Sequence, residues 1–268
     1  MPNPARVLIV AGSDSGGGAG IQADIKTVTA LSGYAMTAIT AVTVQDTTGV
    51  HSFHPVPPKT VADQIRVVLA DIGADAVKTG MLVSAQTVEA VADALAPHAA
   101  IPLVVDTVMI AKGGAVLLDE AGIDAMKARL FPLAALVTPN APEAAKLTGR
   151  AIETPDDLIR AAESLRDGGL RAVLVKGGHL AGESVTDVLA DSNGVHIFRT
   201  RRIDNASTHG TGCTLASAIA AGLAQGFALE DAVARARSFV LEAIRTGLPF
   251  GRGTGPLNHL HAIPPYEE

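Results

Sequence analysis

The sequence predicts an α/β fold, a mostly parallel sheet with helices on both faces. Apolar runs typical of buried strands alternate along the chain with segments that place apolar residues at helical spacing. Aromatic residues make up 3% of the chain and hydrophobic residues 48%, so Ala, Val, Leu and Ile must form the core, as in parallel sheets buried under helices. We expect a single domain over residues 1–268, since that length suits one large α/β domain.

Strand and helix signals alternate in the first half of the chain. The predicted strands are apolar or β-branched runs at residues 7–11, 36–44, 50–56, 76–79 and 103–105. The predicted helices have apolar residues at helical spacing and cover residues 21–31, 60–72 and 84–96. Ser84 is a predicted N-cap, because its hydroxyl can accept a hydrogen bond from a backbone N–H of the first turn.

The second half continues the alternation and ends in helices. Further strands are predicted at residues 134–137 and 172–175, with two short strands between 184 and 201. Two helices follow Asn140, the second of them opening at Thr154 with Pro155 in the first helical position, which its fixed φ suits. Two more helices cover residues 211–225 and 229–247, and the Pro- and Gly-rich segment from Pro249 is a predicted closing loop.

Charge and cysteine content exclude several classes of function. The formal net charge is -6 and there is no basic run, which argues against nucleic acid or an anionic membrane as partner, because both reward clustered Lys and Arg. The chain has one cysteine and cannot form an internal disulfide, so we expect a cytoplasmic protein. The apolar run at residues 7–11 is too short for a signal-peptide core or a membrane span.

Three polar residues lie at or just after predicted strand ends. These residues are Asp106, Asn140 and Lys176. Open α/β sheets bind their ligands beyond the carboxyl ends of the strands. We therefore expect the three side chains to share one cleft.

A glycine-rich helix start carries the only cysteine. Gly210, Thr211 and Gly212 precede Cys213, and a small-residue helix pattern follows. Bare backbone N–H groups at such a start can bind an anion, and the glycines let it approach closely. The helix dipole is expected to lower the pKa of the thiol, so the loop predicts a phosphate site beside a base or nucleophile. The alternative is a tight turn whose cysteine packs as a small hydrophobic residue.

A second glycine-rich loop, residues 12–20, begins at Gly12 after the first strand. It lacks both the G-x-G-x-x-G pattern and the Gly-Lys of a P-loop. Two interpretations stay open: a permissive strand-to-helix turn, or backbone lying against a flat ligand that Asp24 can hydrogen-bond. Gln45 is likewise either a satisfied surface amide or a group that donates and accepts at the edge of an aminopyrimidine.

Asn140 and Glu143 lie three residues apart at a helix start. Together they can hold the water shell of Mg²⁺, or they can form a helix cap with no further role. Lys112 and Lys176 each precede two glycines, which suits a phosphate chain, although lysines beside turns are common on surfaces. His209 has no metal-ligand spacing to another histidine, and we assign it a structural or supporting role.

Five segments together resemble the hydroxymethylpyrimidine/phosphomethylpyrimidine kinases of thiamine biosynthesis, a family in the ribokinase-like superfamily. They are AGSD with GGAGIQADIK at residues 11–26, D with VMIAKGG at 106–114, TPN with PEA at 138–144, VKGGH at 175–179 and THGTGCT at 208–214. The resemblance runs from Val7 to about Gly226. It implies a ribokinase-like three-layer sandwich, a homodimer, ATP with Mg²⁺, and a small-molecule pyrimidine substrate.

The activity implied by the resemblance is phosphorylation of 4-amino-5-hydroxymethyl-2-methylpyrimidine (hydroxymethylpyrimidine) by ATP, first to its monophosphate and then to its diphosphate. The resemblance implies an anion hole at Gly210, Thr211 and Gly212. Cys213 stands where most ribokinase-like enzymes have an aspartate base. The residues implied to line the pyrimidine pocket are Gln45, Asp24, Gly12, Met81 and Val108.

Nucleotide and metal sites are implied in the same way. Lys176, Asn140 and Lys112 are assigned to nucleotide binding, and Lys176 is implied to face the phosphates. Asn140 and Glu143 match the superfamily's magnesium-associated pair, and Glu143 and the nearby Asp106 are assigned to Mg²⁺. The chain departs from the family pattern just after the last of these, where Thr107 replaces a usual proline and leaves the loop less rigid.

Two other functions stay open. A pyridoxal or pyridoxine kinase could use the same scaffold, but the amide of Gln45 suits an aminopyrimidine better than a phenolic pyridine. A non-catalytic sensor of nucleotides or pyrimidines is the other, and the intact Gly-Thr-Gly-Cys loop and the magnesium-associated pair argue against it.

Overall fold

A nine-stranded sheet runs through the computed structural model, which describes residues 3–111 and 113–265. Its strands are β1 (Arg6–Ser13), β2 (Tyr34–Asp46), β3 (Gly49–Pro55), β4 (Ala76–Thr79), β5 (Leu103–Val105), β6 (Leu136–Val137), β7 (Val173–Lys176), β8 (Ser184–Asp191) and β9 (Gly194–Arg201). The α-helices are α1 (Gly20–Ala30), α2 (Pro58–Asp71), α3 (Ala85–Leu95), α4 (Glu120–Ala125), α5 (Ala141–Thr148), α6 (Pro155–Asp167), α7 (Thr211–Ala224) and α8 (Leu229–Arg245).

The sheet is mostly parallel, as the sequence predicts. Its order is β3-β2-β1-β4-β5-β6-β7-β8-β9. Six adjacent strands pair in parallel, in the order β2, β1, β4, β5, β6 and β7. The remaining three, β3, β8 and β9, pair antiparallel with their neighbours. The chain moves outward in one direction from β1 to β2 and in the other from β1 to β4. This reversal creates a crevice at the carboxyl ends of β1 and β4, where open sheets bind ligands.

Both faces of the sheet are buried. In β1, Leu8 and Val10 belong to one apolar cluster, with α2, α3 and α6, while Val7 and Ile9 belong to the other, with α1, α7 and α8. Side chains of a strand alternate between the two faces, so an unbroken apolar run such as β1 indicates a central strand covered on both sides. Within the described residues, no helix has both the length and the apolar character to cross a membrane.

Residues 120–133 form helical structure that the sequence did not predict. After α4, the chain continues through a π-helical turn, Met126–Leu130, and a 3₁₀ turn, Phe131–Leu133. Since three helical geometries follow one another, no single period of apolar residues persists long enough to be recognised. The available signal was Asp119, whose carboxylate accepts a hydrogen bond from the backbone N–H of Gly122 at 2.8 Å and caps α4. Helix α3 is capped by Ser84, as predicted.

One buried ion pair joins the sheet to two helices. The Lys78 ammonium group on β4 lies 3.0 and 2.8 Å from the carboxylate oxygens of Asp24 on α1, and both side chains are 0% exposed. The Ser217 hydroxyl on α7 donates to the same carboxylate at 2.7 Å. Burial raises the pKa of Asp24, which Lys78 and Ser217 oppose, and it disfavours the charged amine of Lys78. The Asp24 carboxylate nevertheless raises the pKa of Lys78 above its usual value. The contacts of the Asp24 carboxylate with Lys78 and Ser217 join both helices to the sheet.

We expect Lys78→Met to lower the free energy of unfolding by roughly 3–5 kcal/mol, because it leaves the Asp24 carboxylate buried without its cation. The control is Lys59→Met, since the Lys59–Asp63 pair has exposed side chains (86% and 44%) and its attraction is screened by water. Urea denaturation measures both. Equal shifts in the two variants would contradict a structural role for the buried pair.

Candidate active site

A cavity of about 830 Å³ opens at the carboxyl ends of the parallel strands. It brings together twelve of the fourteen predicted site residues: Gly12, Gln45, Met81, Asp106, Val108, Asn140, Glu143, Lys176, Gly210, Thr211, Gly212 and Cys213. The shared cleft expected from the strand ends is therefore present. Lys112 lies outside the described residues.

Asp24 is the exception, and its predicted place in the pocket wall is corrected. Its side chain is fully buried beneath the cavity, where it binds Lys78 and Ser217. Asp24 shares the buried face of α1 with Ile21 and Val28, three positions before and four after it. That helical spacing turns its carboxylate toward the sheet rather than toward a ligand.

The start of α7 is shaped to hold an anion. Gly210 is its N-cap, with a φ of 82°, and a Cβ there would overlap the carbonyl oxygen of Gly18. The two glycine-rich loops thus pack backbone against backbone. The helical ladder begins with the Thr214 N–H donating to the Gly210 carbonyl at 2.9 Å. The N–H groups of the three residues before Thr214 have no acceptor within the helix and lie at the cavity wall.

A partly buried ion pair lies beside this helix start. The Lys176 ammonium group lies 2.9 Å from Asp106 Oδ1, and the Thr138 hydroxyl donates to the same oxygen at 3.2 Å. A Cβ at Gly212 would lie 3.4 Å from Lys176 Nζ. Burial opposes both charges, but their attraction raises the pKa of Lys176 and, with help from Lys78, lowers that of Asp106. A permanent cation therefore faces the anion site.

Asn140 and Glu143 form a complete capping box on α5. The Asn140 side chain accepts from the Glu143 N–H at 2.9 Å, and Glu143 Oε2 accepts from the Asn140 N–H at 2.8 Å. Glu143 Oε2 also accepts from the Thr107 hydroxyl at 2.9 Å. Thr107, in place of the family's proline, thus ties the loop after Asp106 to this carboxylate. The capping interpretation is realised, and both box residues also line the cavity.

The acidic residues fit a loosely held Mg²⁺ rather than a protein cage. No group of three or more His, Cys, Asp or Glu side chains in residues 3–111 and 113–265 could hold a metal ion. Mg²⁺ needs only one or two carboxylates when water and phosphates supply its other ligands. Burial raises the pKa of Glu143, and the nearby charge of Asp106 adds to this effect. A cation shared by these two carboxylates would relieve that repulsion.

The thiol of Cys213 is not activated in the way the sequence predicts. Burial raises its pKa to about 11, with Asp24 and Asp106 adding to the increase and Lys78 opposing it. Desolvation of the thiolate and the two nearby carboxylates therefore outweigh the attraction of Lys78. At neutral pH the thiol keeps its proton.

Gln45 lies within β2, one residue from its end, rather than after the strand. A register shift between Val44 and Gln45 interrupts the pairing with β3 there. Its amide contacts His209, which in turn contacts Asp14, and both of these residues line the cavity. Sequence reasoning gave neither His209 nor Asp14 a ligand-related role, and the only signal was their position inside the two glycine-rich motifs.

The chain is similar in sequence to known kinases over most of its length. Residues 14–258 match the family model described as phosphomethylpyrimidine kinase. A hydroxymethylpyrimidine/phosphomethylpyrimidine kinase of Streptomyces coelicolor is 50% identical over 260 residues, covering 97% of this chain and 96% of that protein. The thiamine biosynthesis bifunctional protein ThiED of Geobacter sulfurreducens is 55% identical over 257 residues. The match covers 96% of this chain but only 52% of that longer protein.

Solved structures of two kinases also resemble the chain. Phosphomethylpyrimidine kinase from Clostridium difficile 630 matches with a TM-score of 0.79 and 40% identity, covering 90% of this chain and 99% of that chain. An ADP complex of Bacillus subtilis pyridoxal kinase matches with a TM-score of 0.89 and 35% identity, covering 96% of this chain and 98% of that chain. The α/β fold is therefore that of these kinases.

We expect the Cys213 thiol to titrate with a midpoint near its pKa of about 11. Cys213 is the only cysteine, so the ultraviolet absorbance of the thiolate reports this residue alone once the Cys213→Ser variant has been subtracted to remove tyrosine ionisation. Circular dichroism at each pH checks that the chain stays folded. A midpoint below about 8, lower than that of an ordinary thiol, would show that the helix dipole prevails over burial.

Proposed function

The chain belongs to the phosphomethylpyrimidine kinase family, and from this we propose that it phosphorylates hydroxymethylpyrimidine with ATP, first to the monophosphate and then to the diphosphate, in thiamine biosynthesis. One observation carries the proposal: a single cavity is lined both by the amide of Gln45 and by the anion-binding start of α7. An aminopyrimidine and a phosphoryl donor can therefore meet in it. In this proposal the whole chain is one kinase domain.

Positioning and charge neutralisation supply most of the catalysis in phosphoryl transfer. We assign the transferring phosphoryl group to the N–H groups at Gly210, Thr211 and Gly212, with the ammonium group of Lys176 beside them. Gly12, Met81 and Val108 line the same cavity and offer apolar or backbone surface for a flat ring. These groups are fixed before the substrate arrives, so they need no rearrangement as charge develops.

Mg²⁺ belongs to the proposal as a cofactor of ATP. When bound, it neutralises negative charge on the phosphate oxygens. Glu143 and Asp106 would hold it through their carboxylates, and Asn140 orients Glu143 through the capping box. Lys112 is proposed at the nucleotide phosphates on the sequence alone, from the two glycines that follow it and from the resemblance.

Cys213 is proposed to take the hydroxyl proton in the first transfer. There, a bond forms between the hydroxymethyl oxygen and the γ-phosphorus, the bond from that phosphorus to ADP breaks, and the hydroxyl loses its proton. Only the thiolate can accept this proton, so the raised pKa makes Cys213 a strong base that is rarely ionised. In the second transfer the nucleophile is already an anionic phosphate, and no base is required.

Pyridoxal phosphorylation is the second candidate, because the fold also matches a pyridoxal kinase closely. Gln45 favours the pyrimidine.

We also propose a cytoplasmic homodimer. The exposed apolar side chains of Val42 and Val44 on β2, 52% and 53% exposed, support an interface on that surface.

End-point product analysis tests the proposed function. The chain is incubated with ATP, Mg²⁺ and equal amounts of hydroxymethylpyrimidine and pyridoxal, and chromatography resolves monophosphate, diphosphate and pyridoxal phosphate. We expect hydroxymethylpyrimidine to be consumed first and its diphosphate to accumulate. Preferential formation of pyridoxal phosphate would favour the second candidate, and no product from either alcohol would contradict both.

We expect Glu143→Gln to raise the Mg²⁺ concentration needed for half-maximal rate severalfold, because an amide attracts a hydrated cation weakly. The amide oxygen can still accept the capping hydrogen bonds, so the thermal midpoint should change little. Asp157→Asn alters the equivalent capping box of α6, away from the cavity, and serves as the matched control. Identical Mg²⁺ titrations for both variants would leave Glu143 with a capping role only.

We expect Cys213→Ala to slow phosphorylation of the alcohol about 10²–10⁴-fold, the usual loss for a general base, and to slow phosphorylation of the monophosphate much less. Single-turnover rates with each substrate supplied separately measure the two steps. Cys213→Asp should recover part of the alcohol step. In the wild type, the rate of the alcohol step should also rise about tenfold for each unit by which the pH increases, as long as the pH stays below the pKa of the thiol. An alcohol rate within a few-fold of wild type would assign Cys213 to packing.

A further inference from the structure

The amide of Gln45 is held between two side chains that are themselves engaged elsewhere. Its Oε1 lies 3.4 Å from Thr43 Oγ1, and its Nε2 lies 3.1 Å from His209 Nε2. Thr43 Oγ1 is also 2.8 Å from the backbone carbonyl of Ser13, and His209 Nε2 is 3.1 Å from Asp14 Oδ2. Each of these groups has a limited number of hydrogens, so together the contacts determine which atom donates to which.

His209 must donate through Nε2. The Asp14 carboxylate accepts hydrogen bonds from three backbone N–H groups of the loop that follows it, at 2.7, 3.0 and 2.8 Å. Such a carboxylate stays ionised and can only accept. The nitrogen of His209 that faces it therefore carries a hydrogen. A ring nitrogen that carries a hydrogen has no free lone pair in the plane of the imidazole. Nε2 of His209 therefore cannot accept a hydrogen bond from the NH₂ group of Gln45.

Thr43 must accept. A hydroxyl has one hydrogen, and the backbone carbonyl of Ser13, at 2.8 Å, can only accept it. The oxygen of Thr43 then has lone pairs but no hydrogen left for Gln45. The group that Gln45 presents to Thr43 must therefore be its NH₂ rather than its carbonyl oxygen.

We infer that the Gln45 amide is locked with its carbonyl oxygen toward His209 and its NH₂ toward Thr43, so that His209 and Thr43 are positioning residues for substrate recognition. A half-turn of the amide about its last torsion exchanges the two atoms, which are of similar size, and satisfies both neighbours. The His209 N–H is then shared between Asp14 and Gln45. This inference rests on the proposed function, because it concerns the substrate that Gln45 recognises.

The locked amide offers a fixed pattern to the cavity. One carbonyl lone pair and one N–H of Gln45 are used by His209 and Thr43, which leaves one lone pair and one N–H for a substrate. An aminopyrimidine has an amino donor beside a ring-nitrogen acceptor and complements these two groups with two hydrogen bonds. Pyridoxal has no amino group next to its ring nitrogen and matches them poorly. An amide free to rotate would discriminate less.

The test compares His209→Phe with His209→Gln. Phenylalanine keeps a flat ring against Gly18, where a Cβ would collide with the His209 ring, but has no N–H. Glutamine can place an N–H near the position of Nε2. We expect His209→Phe to lower the kcat/KM ratio of hydroxymethylpyrimidine to pyridoxal about tenfold, mainly through KM for the pyrimidine and with KM for ATP unchanged. His209→Gln should keep the ratio within a few-fold of wild type.

Coupling to Gln45 shows whether His209 acts through the amide. In a Gln45→Ala background the ratio should already be low, and adding His209→Phe should not lower it further. Thr43→Val, which keeps the side-chain shape, is an independent arm that should also lower the ratio, even if His209→Phe fails to fold. Equal loss with both alcohols, or a full further loss in the Gln45→Ala background, would overturn the inference. A wild type that does not phosphorylate hydroxymethylpyrimidine would instead overturn the proposed function.

Discussion

The buried ion pair between Lys78 and Asp24 is the interaction on which the rest of the site depends. It lies beneath the cavity and joins the central strand β4 to α1, while the Ser217 hydroxyl adds α7 to the same carboxylate. Two charges removed from water are tolerated only when their contacts are maintained, so any displacement of either helix is strongly disfavoured. Both helices begin at the cavity. Their fixed positions allow the backbones at Gly18 and Gly210 to approach each other closely.

Low polarity around the site has two opposite effects on function. It strengthens the attraction between the anion-binding helix start, Lys176 and an incoming phosphate, because little water screens them. The same environment raises the pKa of Glu143 and of Cys213, since each would carry a negative charge in a buried place. In the proposed mechanism, transfer to an alcohol depends on a base that is seldom ionised, whereas transfer to a monophosphate needs no base. The proposed site therefore favours phosphate binding over proton removal.

Local sequence patterns predicted the framework well, because their causes are local. The unbroken apolar run of β1 indicated a central strand, and Ser84 marked the start of α3. The strand-end positions of Asp106 and Lys176 located the cavity before any contact was known. The mixed helical turns after Asp119 were missed, because their periods change within a few residues.

Contacts between distant segments decided what the sequence could not. The place of Asp24 depends on Lys78. The pKa of Cys213 is raised mainly by burial among segments that are distant in the sequence, and Asp24 and Asp106 add to the increase while Lys78 opposes it. A crystal structure of the chain with hydroxymethylpyrimidine, Mg²⁺ and a non-hydrolysable ATP analogue tests the central claim most directly. We expect the pyrimidine edge on Gln45, the hydroxymethyl oxygen beside Cys213, and the γ-phosphate on the N–H groups at the start of α7. A ring bound away from Gln45, or a γ-phosphate away from α7, would contradict the claim.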